Sequence, residues 1–330
     1  MKYFITGING FIGFSLAKKL VDLGHTVSGI DDMNHYYDVA LKTARERILD
    51  DDYEVIVHHG SIVNNTYQNV FIVKDPNYNR LDECIKHEKP DVVIHLAGYA
   101  GIRNSIEDPE TYISSNISGT QNVIDVCEKY GIKQVLYAST SSVMADNKIL
   151  PWTEDERLGD MLSPYAYSKQ ANEHQFKISN IPTTTGLRFF TVYGPWGRPD
   201  MALFHFTKQI IAGEPIDVYN YGDMKRDFTY VDDIVEGIIA LLELTPNPVD
   251  EIYNIGYGKQ VGLMDFIKEI ENNLGRTAQM NLLPMHPADS KETWSNTTKL
   301  RDLTGWEPKT NVVDGVKQFI DWYKSFYNVN

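Results

Sequence analysis

Cysteine is scarce: the chain has two, Cys84 and Cys127. Both fall in stretches of helical apolar periodicity, so they read as small buried hydrophobes rather than a disulfide or metal pair. Basic residues are outnumbered, 31 Lys and Arg against 45 Asp and Glu, for a net charge of −14. No nucleic-acid partner is expected, because such binders carry the opposite sign. A small anionic ligand stays open, since a few local Arg residues can hold one phosphate. Long apolar runs are lacking. No segment approaches the roughly 20 residues of a membrane span, so no membrane partner is expected. The opening MKYFITG is too short an apolar run for a signal peptide. The expected location is the cytoplasm, where the Asn-x-Ser/Thr matches at Asn64, Asn116 and Asn296 are chance. The acidic runs Asp50–Asp52 and Glu154–Glu156 lack the alternating ligand spacing of a calcium loop. They read as solvated loops, and no metal is expected.

Apolar material is ample, with 42% hydrophobic residues over 330 positions. That suffices for one large α/β domain or two interlocked ones. Strand-like segments Tyr3–Thr6, Thr26–Ile30, Asp91–His95 and Gln134–Ala138 alternate with helix-like Phe11–Leu23, Leu81–His87 and Tyr112–Tyr130. This alternation predicts a parallel sheet with helices on both faces, and right-handed crossovers make it doubly wound. Beyond about Arg188 the pattern loosens, with Gly-, Pro- and Asp-rich loops at Gly194–Asp200, Tyr219–Asp227 and Pro284–Lys291.

Gly7, Gly10 and Gly13 stand between the first strand and first helix, spaced GxxGxxG. Gly7 permits the tight turn, Gly10 lets backbone approach a pyrophosphate, and Gly13 lets the helix pack close to the sheet. Asp31, 18 residues after Gly13, ends the second strand, where a carboxylate accepts from the ribose hydroxyls of NAD. Asp32 follows, not an Arg that would hold a 2′-phosphate, so the expected cofactor is NAD. The expected architecture is an α/β, Rossmann-type doubly wound parallel sheet with a smaller interleaved α/β substrate-binding region. Residues 1–188, with returning elements at about 228–257, are expected to form the NAD-binding domain, and 189–227 with 258–330 the smaller substrate-binding region.

The strand at Gln134–Ala138 runs into Ser139-Thr140-Ser141-Ser142, and Tyr165 precedes Lys169 by four residues. On a helix, that spacing puts both on one face. Taking hydride from an alcohol needs a base for its hydroxyl proton. Tyrosine, with a free pKa of about 10, is a poor base at neutral pH. A neighbouring ammonium favours the phenolate and lowers that pKa. Thr140 can hydrogen-bond the reacting oxygen.

With the glycine loop, Asp31 and this Thr, Tyr and Lys set, the chain resembles an extended short-chain dehydrogenase/reductase of the NAD-dependent epimerase/dehydratase family, over nearly its whole length. Within it, Asp31–Asp38 (DDMNHYYD), Ala100–Ser105 (AGIRNS), Gly186–Leu203 (GLRFFTVYGPWGRPDMAL) and Ile216–Ile234 (IDVYNYGDMKRDFTYVDDI) resemble the UDP-glucuronate 4-epimerase group. The resemblance implies 4-epimerisation of UDP-glucuronate to UDP-galacturonate through a transient 4-keto sugar, by a homodimer that buries helices Tyr112–Tyr130 and Tyr165–Lys177 in a four-helix interface. It implies that Thr140, Tyr165 and Lys169 are catalytic. Cofactor contacts fall to Gly7, Asn9, Gly10, Phe11, Ile12, Gly13, Asp31, Asn34, Leu96, Ala97, Asn116, Tyr165 and Lys169. Asp75 joins them if the third strand is Asn69–Lys74, or a residue near Ser61 if it is Glu54–His58. Substrate contacts fall to Arg103, Thr140, Ser141, Ser142, Tyr165, Thr191, Arg198, Met201, Tyr219 and Arg226. Of these, Thr191 faces the sugar, Arg198 and Arg226 hold the pyrophosphate, and Tyr219 lies near the uracil. The charges agree, since Arg in Gly-rich loops suits phosphate.

Relatives that dehydrate nucleotide sugars carry Asp-Glu directly after the catalytic Thr, and decarboxylating ones place Glu at the position of Ser142. Neither acid is present. Neutral hydroxyls there suit a bound carboxylate, which Glu would repel. The chain departs from the family at Met144-Ala145 (usually Tyr-Gly), Gly98 (usually Ala) and His286-Pro287-Ala288-Asp289 (usually Gln-Pro-Gly-Asp), and by an apparent insertion at Asp51–Asn69. Two other readings are a 4-epimerase of a neutral UDP-hexose or UDP-N-acetylhexosamine, and a non-catalytic NAD-binding regulator. Retention of both Tyr165 and Lys169 speaks against the second.

Overall fold

Residues 1–63, 80–244 and 251–329 are described by the structure, a computed structural model of the chain. The first half runs β1 (Lys2–Thr6), α1 (Phe11–Asp22), β2 (Thr26–Asp31), α2 (Val39–Tyr53), β3 (Ile56–His59), α3 (Leu81–Glu88) and β4 (Val92–His95). There follow α4 (Ile102–Glu107), α5 (Pro109–Tyr112), a π-helical stretch Ile113–Ser118, α6 (Gly119–Lys129), β5 (Gln134–Thr140), α7 (Pro164–Lys177) and β6 (Thr183–Phe189). The rest comprises β7 (Thr191–Tyr193), α8 (Ala202–Ala212), β8 (Ile216–Val218), β9 (Lys225–Arg226), β10 (Phe228–Tyr230), α9 (Val231–Leu242) and β11 (Ile252–Ile255). Last come β12 (Val261–Gly262), α10 (Leu263–Leu274), β13 (Met280–Leu282), α11 (Thr298–Thr304) and α12 (Val312–Tyr327).

The main sheet has the order β11-β6-β5-β4-β1-β2-β3, and the pairs from β3 to β5 are parallel. This is the doubly wound sheet expected from the sequence. Strand order reverses between β1 and β4, and at such a switch point the carboxyl ends of the strands open a crevice for ligand. The strands are apolar on both faces: Phe4, Ile5, Val93, Ile94, Val135 and Leu136 are all fully buried. Parallel strands covered by helices require this. Cys84 and Cys127 are buried in the same core as Phe4 and Val93 and form no disulfide.

The chain divides into two units: Met1–Val143 with Met161–Arg188 and Leu242–Tyr253, and Met144–Asp160 with Phe189–Leu241 and Asn254–Asn330. The first carries most of the sheet. The second is held by its own buried groups. Asp227, fully buried, accepts from the backbone amides of Tyr257, Gly258 and Ser295 at 2.7–3.0 Å and from the Ser295 hydroxyl at 2.6 Å. Among the described residues no helix is long and apolar enough to cross a membrane.

Two local expectations change. Asp50–Asp52 is the exposed end of α2, not a loop: Asp38 caps the helix, and it stops only at Glu54 in the left-handed conformation. Glu154 and Glu156 are structural. Glu154 accepts from the Asn254 amide at 2.8 Å, and Glu156 from the Thr153 amide and the Asn147 side chain. Of the apparent insertion at Asp51–Asn69, the described part is the last turn of α2 and then β3, which pairs in register with β2; residues 64–69 lie outside the described residues.

Candidate active site

The loop after β1 leaves no room for side chains at its glycines. Gly7 has φ +74, and a Cβ there would lie 2.8 Å from the Ala97 nitrogen. A Cβ on Gly10 would lie 2.9 Å from the Gly7 carbonyl oxygen, and one on Gly13 would collide with the same oxygen. Phe11 and Ile12 open α1 directly behind, so its N-terminal amides face the loop. Asn9 is buried. Its amide donates to Asp31 Oδ2 at 3.1 Å, while its side-chain Oδ1 has no hydrogen-bond partner. Leu96 and Ala97 close the other side, their amides donating to Thr6 at 3.1 and 3.2 Å. Asn34 folds back on Asp32, its Nδ2 2.7 Å from Oδ1. The strand paired with β2 is Ile56–His59, whose end leads to Ser61; Asp75 lies outside the described residues.

Tyr165 and Lys169 share α7, which starts at Pro164 and is capped by the Ser163 hydroxyl accepting from the Ala166 amide at 3.1 Å. Lys169 is buried and donates from Nζ to the Ala138 carbonyl at 3.1 Å. Burial pulls its pKa down to about 8. Asn116 sits in the π-helical stretch, a local widening that turns it toward α7. Its Nδ2 donates to Ser168 Oγ and the Tyr99 carbonyl, both at 2.9 Å, and its Oδ1 accepts from the Tyr99 amide at 2.8 Å. Gly98 explains one departure from the family pattern. A Cβ there would lie 2.9 Å from Asn116 Oδ1 and 3.4 Å from Lys169 Nζ.

The hydroxyls at the end of β5 divide. Ser139 Oγ donates to Glu173 at 2.6 Å and is committed to the core. Thr140 Oγ1 bonds Ser142 Oγ at 3.2 Å and accepts from the Ser142 amide, also at 3.2 Å. Ser141 opens the 3-10 turn that ends at fully buried Met144. Arg103 stands on α4, next to a loop fixed by two phenols: Tyr36 and Tyr112 donate to the Ala100 carbonyl at 2.6 and 3.1 Å. The Tyr112 ring meets Tyr165 edge to face at 6.2 Å.

In the second unit, Thr191, Arg198 and Met201 line one cavity, backed by Phe228, Phe266 and Phe319. Arg198 is paired with Asp200, Nε to Oδ1 at 3.0 Å. Tyr219 and Arg226 do not line that cavity. Tyr219 opens a short turn, and Arg226 Nη1 donates to the Lys225 and Lys291 carbonyls at 2.9 Å.

The family model described as the NAD dependent epimerase/dehydratase family matches residues 3–256. The chain belongs to this family. Among its relatives, Protein CapI of Staphylococcus aureus is 44% identical, the match covering 99% of each chain. A UDP-glucuronate 4-epimerase of Thermodesulfobacterium geofontis is 36% identical, over 98% of this chain and 96% of that one. Among solved structures, UDP-glucuronic acid 4-epimerase from Bacillus cereus, in complex with UDP-glucuronic acid and NAD, superposes with a TM-score of 0.88. It is 33% identical, and the match covers 99% of this chain and 100% of that one.

The residues present fit the family's NAD. Side chains are excluded at Gly7, Gly10 and Gly13, α1 points its N-terminus there, and buried Asn9 holds an unpaired acceptor beside Asp31. The sequence reading missed the polar layer beneath. Lys42 Nζ bonds Asp31 Oδ1 at 3.1 Å and lies 3.7 Å from Asp32, and fully buried Arg45 donates to the Asn9 carbonyl at 2.8 Å. Desolvation first, then the Asp31 charge, raises the pKa of Asp32. The reading also missed His95, which bonds Thr6 at 2.7 Å and Thr120 at 3.0 Å. Burial, then the Lys169 charge, lowers its pKa to about 3, so it is neutral. Only the cap of α2 at Asp38 could have pointed to Lys42 and Arg45.

Proposed function

We propose that this chain interconverts UDP-glucuronate and UDP-galacturonate by inverting the sugar at C4. One observation carries the reading: at the end of β5, beside the helix of Tyr165 and Lys169, Thr140 and Ser142 present hydroxyls and no carboxylate. Without an acid there, elimination has no proton shuttle. The likeness to the B. cereus enzyme, which binds UDP-glucuronic acid and NAD, supports the same substrate.

When bound, NAD would supply reversible acceptance of the C4 hydride; the 4-keto sugar turns about its pyrophosphate linkage in between, so that hydride returns to the opposite face. Tyr165 takes the proton of the 4-hydroxyl and gives it back. Lys169 stabilises the phenolate, since a nearby positive charge favours the ionised form. Thr140 hydrogen-bonds the reacting oxygen. Ser141 and Ser142 receive the carboxylate, Thr191 faces the sugar, and Arg103 and Met201 contact the substrate. Arg198 and Arg226 hold the pyrophosphate, and Tyr219 lies by the uracil. Gly7, Asn9, Gly10, Phe11, Ile12, Gly13, Asp31, Asn34, Leu96, Ala97, Asn116, Tyr165, Lys169 and a residue near Ser61 hold the cofactor. Residues 1–188, with elements at about 228–257, thus bind NAD, and 189–227 with 258–330 bind the nucleotide sugar.

The protein acts in the cytoplasm as a homodimer, with no nucleic-acid partner. Ile113 and Tyr167, about half exposed on the helices assigned to the interface, support the dimer. Sedimentation at working concentration checks it, and a monomer counts against it. The activity is tested by incubation with UDP-glucuronate without added NAD and chromatography of the products. UDP-galacturonate is the expected product. Turnover of UDP-glucose but not UDP-glucuronate would overturn the assignment in favour of a neutral hexose.

A further inference from the structure

Glu173 lies on α7 four residues beyond Lys169 and eight beyond Tyr165, so the three side chains share one helix face. Its carboxylate is 7% exposed and forked by Arg188 of β6, Nε to Oε1 and Nη2 to Oε2, each at 2.9 Å. The Ser139 hydroxyl adds a third bond at 2.6 Å. A buried ion pair of this kind is weak evidence for stability, because desolvation of both charges offsets their attraction. Its position gives it another consequence.

Lys169 stands midway between Tyr165 and Glu173. A Glu173 carboxylate without its fork is spaced for an ion pair with Lys169. That pair would draw the ammonium away from Tyr165 and cancel its charge. The fork and the Ser139 hydroxyl engage both carboxylate oxygens, and Lys169 instead bonds the Ala138 carbonyl. Among the described residues, titratable groups near this stripe include His95 of β4, Tyr112 of α5 with Tyr99 packed on its ring, Arg103 of α4, which packs against α7, and Tyr137 of β5, stacked on Phe176 at 4.0 Å. His95 is neutral and burial raises the Tyr99 pKa to about 12, so neither competes for the Lys169 charge.

We propose that Arg188 is a positioning residue: by holding Glu173 it leaves the Lys169 charge to Tyr165, and so sets the pH at which Tyr165 becomes a base. This rests on the assignment of Tyr165 as the base. Eight helical residues span about 12 Å. One unit charge at that distance, with an effective dielectric constant of about 20, moves a pKa by about one unit.

The test is the acid limb of kcat/KM against pH, measured on the NAD-loaded protein with UDP-glucuronate. Glu173→Gln leaves Arg188 as an uncompensated cation that cannot deprotonate. Its limb is expected to fall by about one pH unit. Arg188→Gln leaves Glu173 to oppose Lys169, and its limb is expected to rise. The double variant removes both charges and is expected to return to the parent limb. A purely structural pair would lower turnover or thermal stability without displacing the limb in opposite directions. Limbs at the parent value in whichever single variant folds overturn the proposal alone. A parent that turns over no UDP-hexuronate overturns the assignment beneath it as well.

Discussion

The Lys169 ammonium donates to the Ala138 carbonyl, 3.1 Å away, and so fixes α7 against the end of β5 where Thr140 stands. A buried cation held this way has a measurable stability cost. Its pKa is about 8 against an ordinary 10.5, because burial disfavours the charged form. The unfolded chain therefore binds the proton more tightly, and parent stability should rise as pH goes from 8 to 10.5. Below pH 8 the full cost remains. Lys169→Met should stabilise the cofactor-free protein at pH 7 by about 1–3 kcal/mol, after allowing for the lost bond to Ala138. Its advantage should vanish above about pH 10.5. Thermal melts of both proteins across pH check this, and an advantage that persists at high pH speaks against the buried charge. The same variant should be inactive.

Tyr165→Phe removes the phenol with little change in volume. Epimerase turnover should fall by about 10²–10⁴-fold, the usual contribution of a general base. Cofactor content should stay at the parent level, because the glycine loop and Asp31 are untouched. Steady-state kinetics with absorbance of the released nucleotide measures both. Activity within a few-fold of the parent would remove Tyr165 from its role.

The purified protein should carry NAD and not NADP. Hydride is taken and returned in one turnover, so the cofactor need not leave. Asp31 and Asp32, at the end of β2, are assigned to the ribose and would repel a 2′-phosphate, although Lys42 is paired with both. Denaturation and chromatography of the released nucleotide tests this. Finding only NADP would overturn the assignment of Asp31 and point to Lys42 as a phosphate ligand.

What could be read from the sequence was local. The glycine spacing, Asp31 and the Tyr165–Lys169 pair are each set within one turn or one strand-to-helix junction, and the alternation of strands and helices gave the doubly wound sheet. What was hidden depends on partners far apart in the chain. The inward face of α2 is partly polar, with Lys42 and Arg45 buried beside Leu41 and Leu49, so it carries little hydrophobic periodicity. Glu173 meets Arg188 and Ser139 only through the packing of α7 on the sheet. Asp227 likewise gathers loops some 30 and 70 residues away, which no spacing announces. The hydroxyl run Ser139–Ser142 was legible as a cluster, but not its division into one core group and a site pair.

That site pair supports the most specific expectation. Ser142 is half-buried and bonded through its amide and hydroxyl to Thr140, at the end of the strand that faces α7. If Ser141 and Ser142 receive the sugar carboxylate, Ser142→Glu sets one carboxylate beside another in a partly dry site, where like charges repel strongly. Binding of UDP-glucuronate should weaken. Ser142→Ala should be milder, because a lost hydrogen bond to a charged group costs about 1.5–3 kcal/mol. Neutral UDP-glucose, to whatever extent it is turned over, should suffer less from either change. The introduced acid is also the group that decarboxylating relatives carry, so residual turnover of Ser142→Glu should yield more pentose product. The deciding quantity is the ratio of kcat/KM for UDP-glucuronate to that for UDP-glucose in the parent and each variant. A ratio that falls at least tenfold in Ser142→Glu places the carboxylate at Ser142. A ratio unchanged by that substitution means the hydroxyls do not read the carboxylate, and the specificity for a uronate must then come from other residues or be absent.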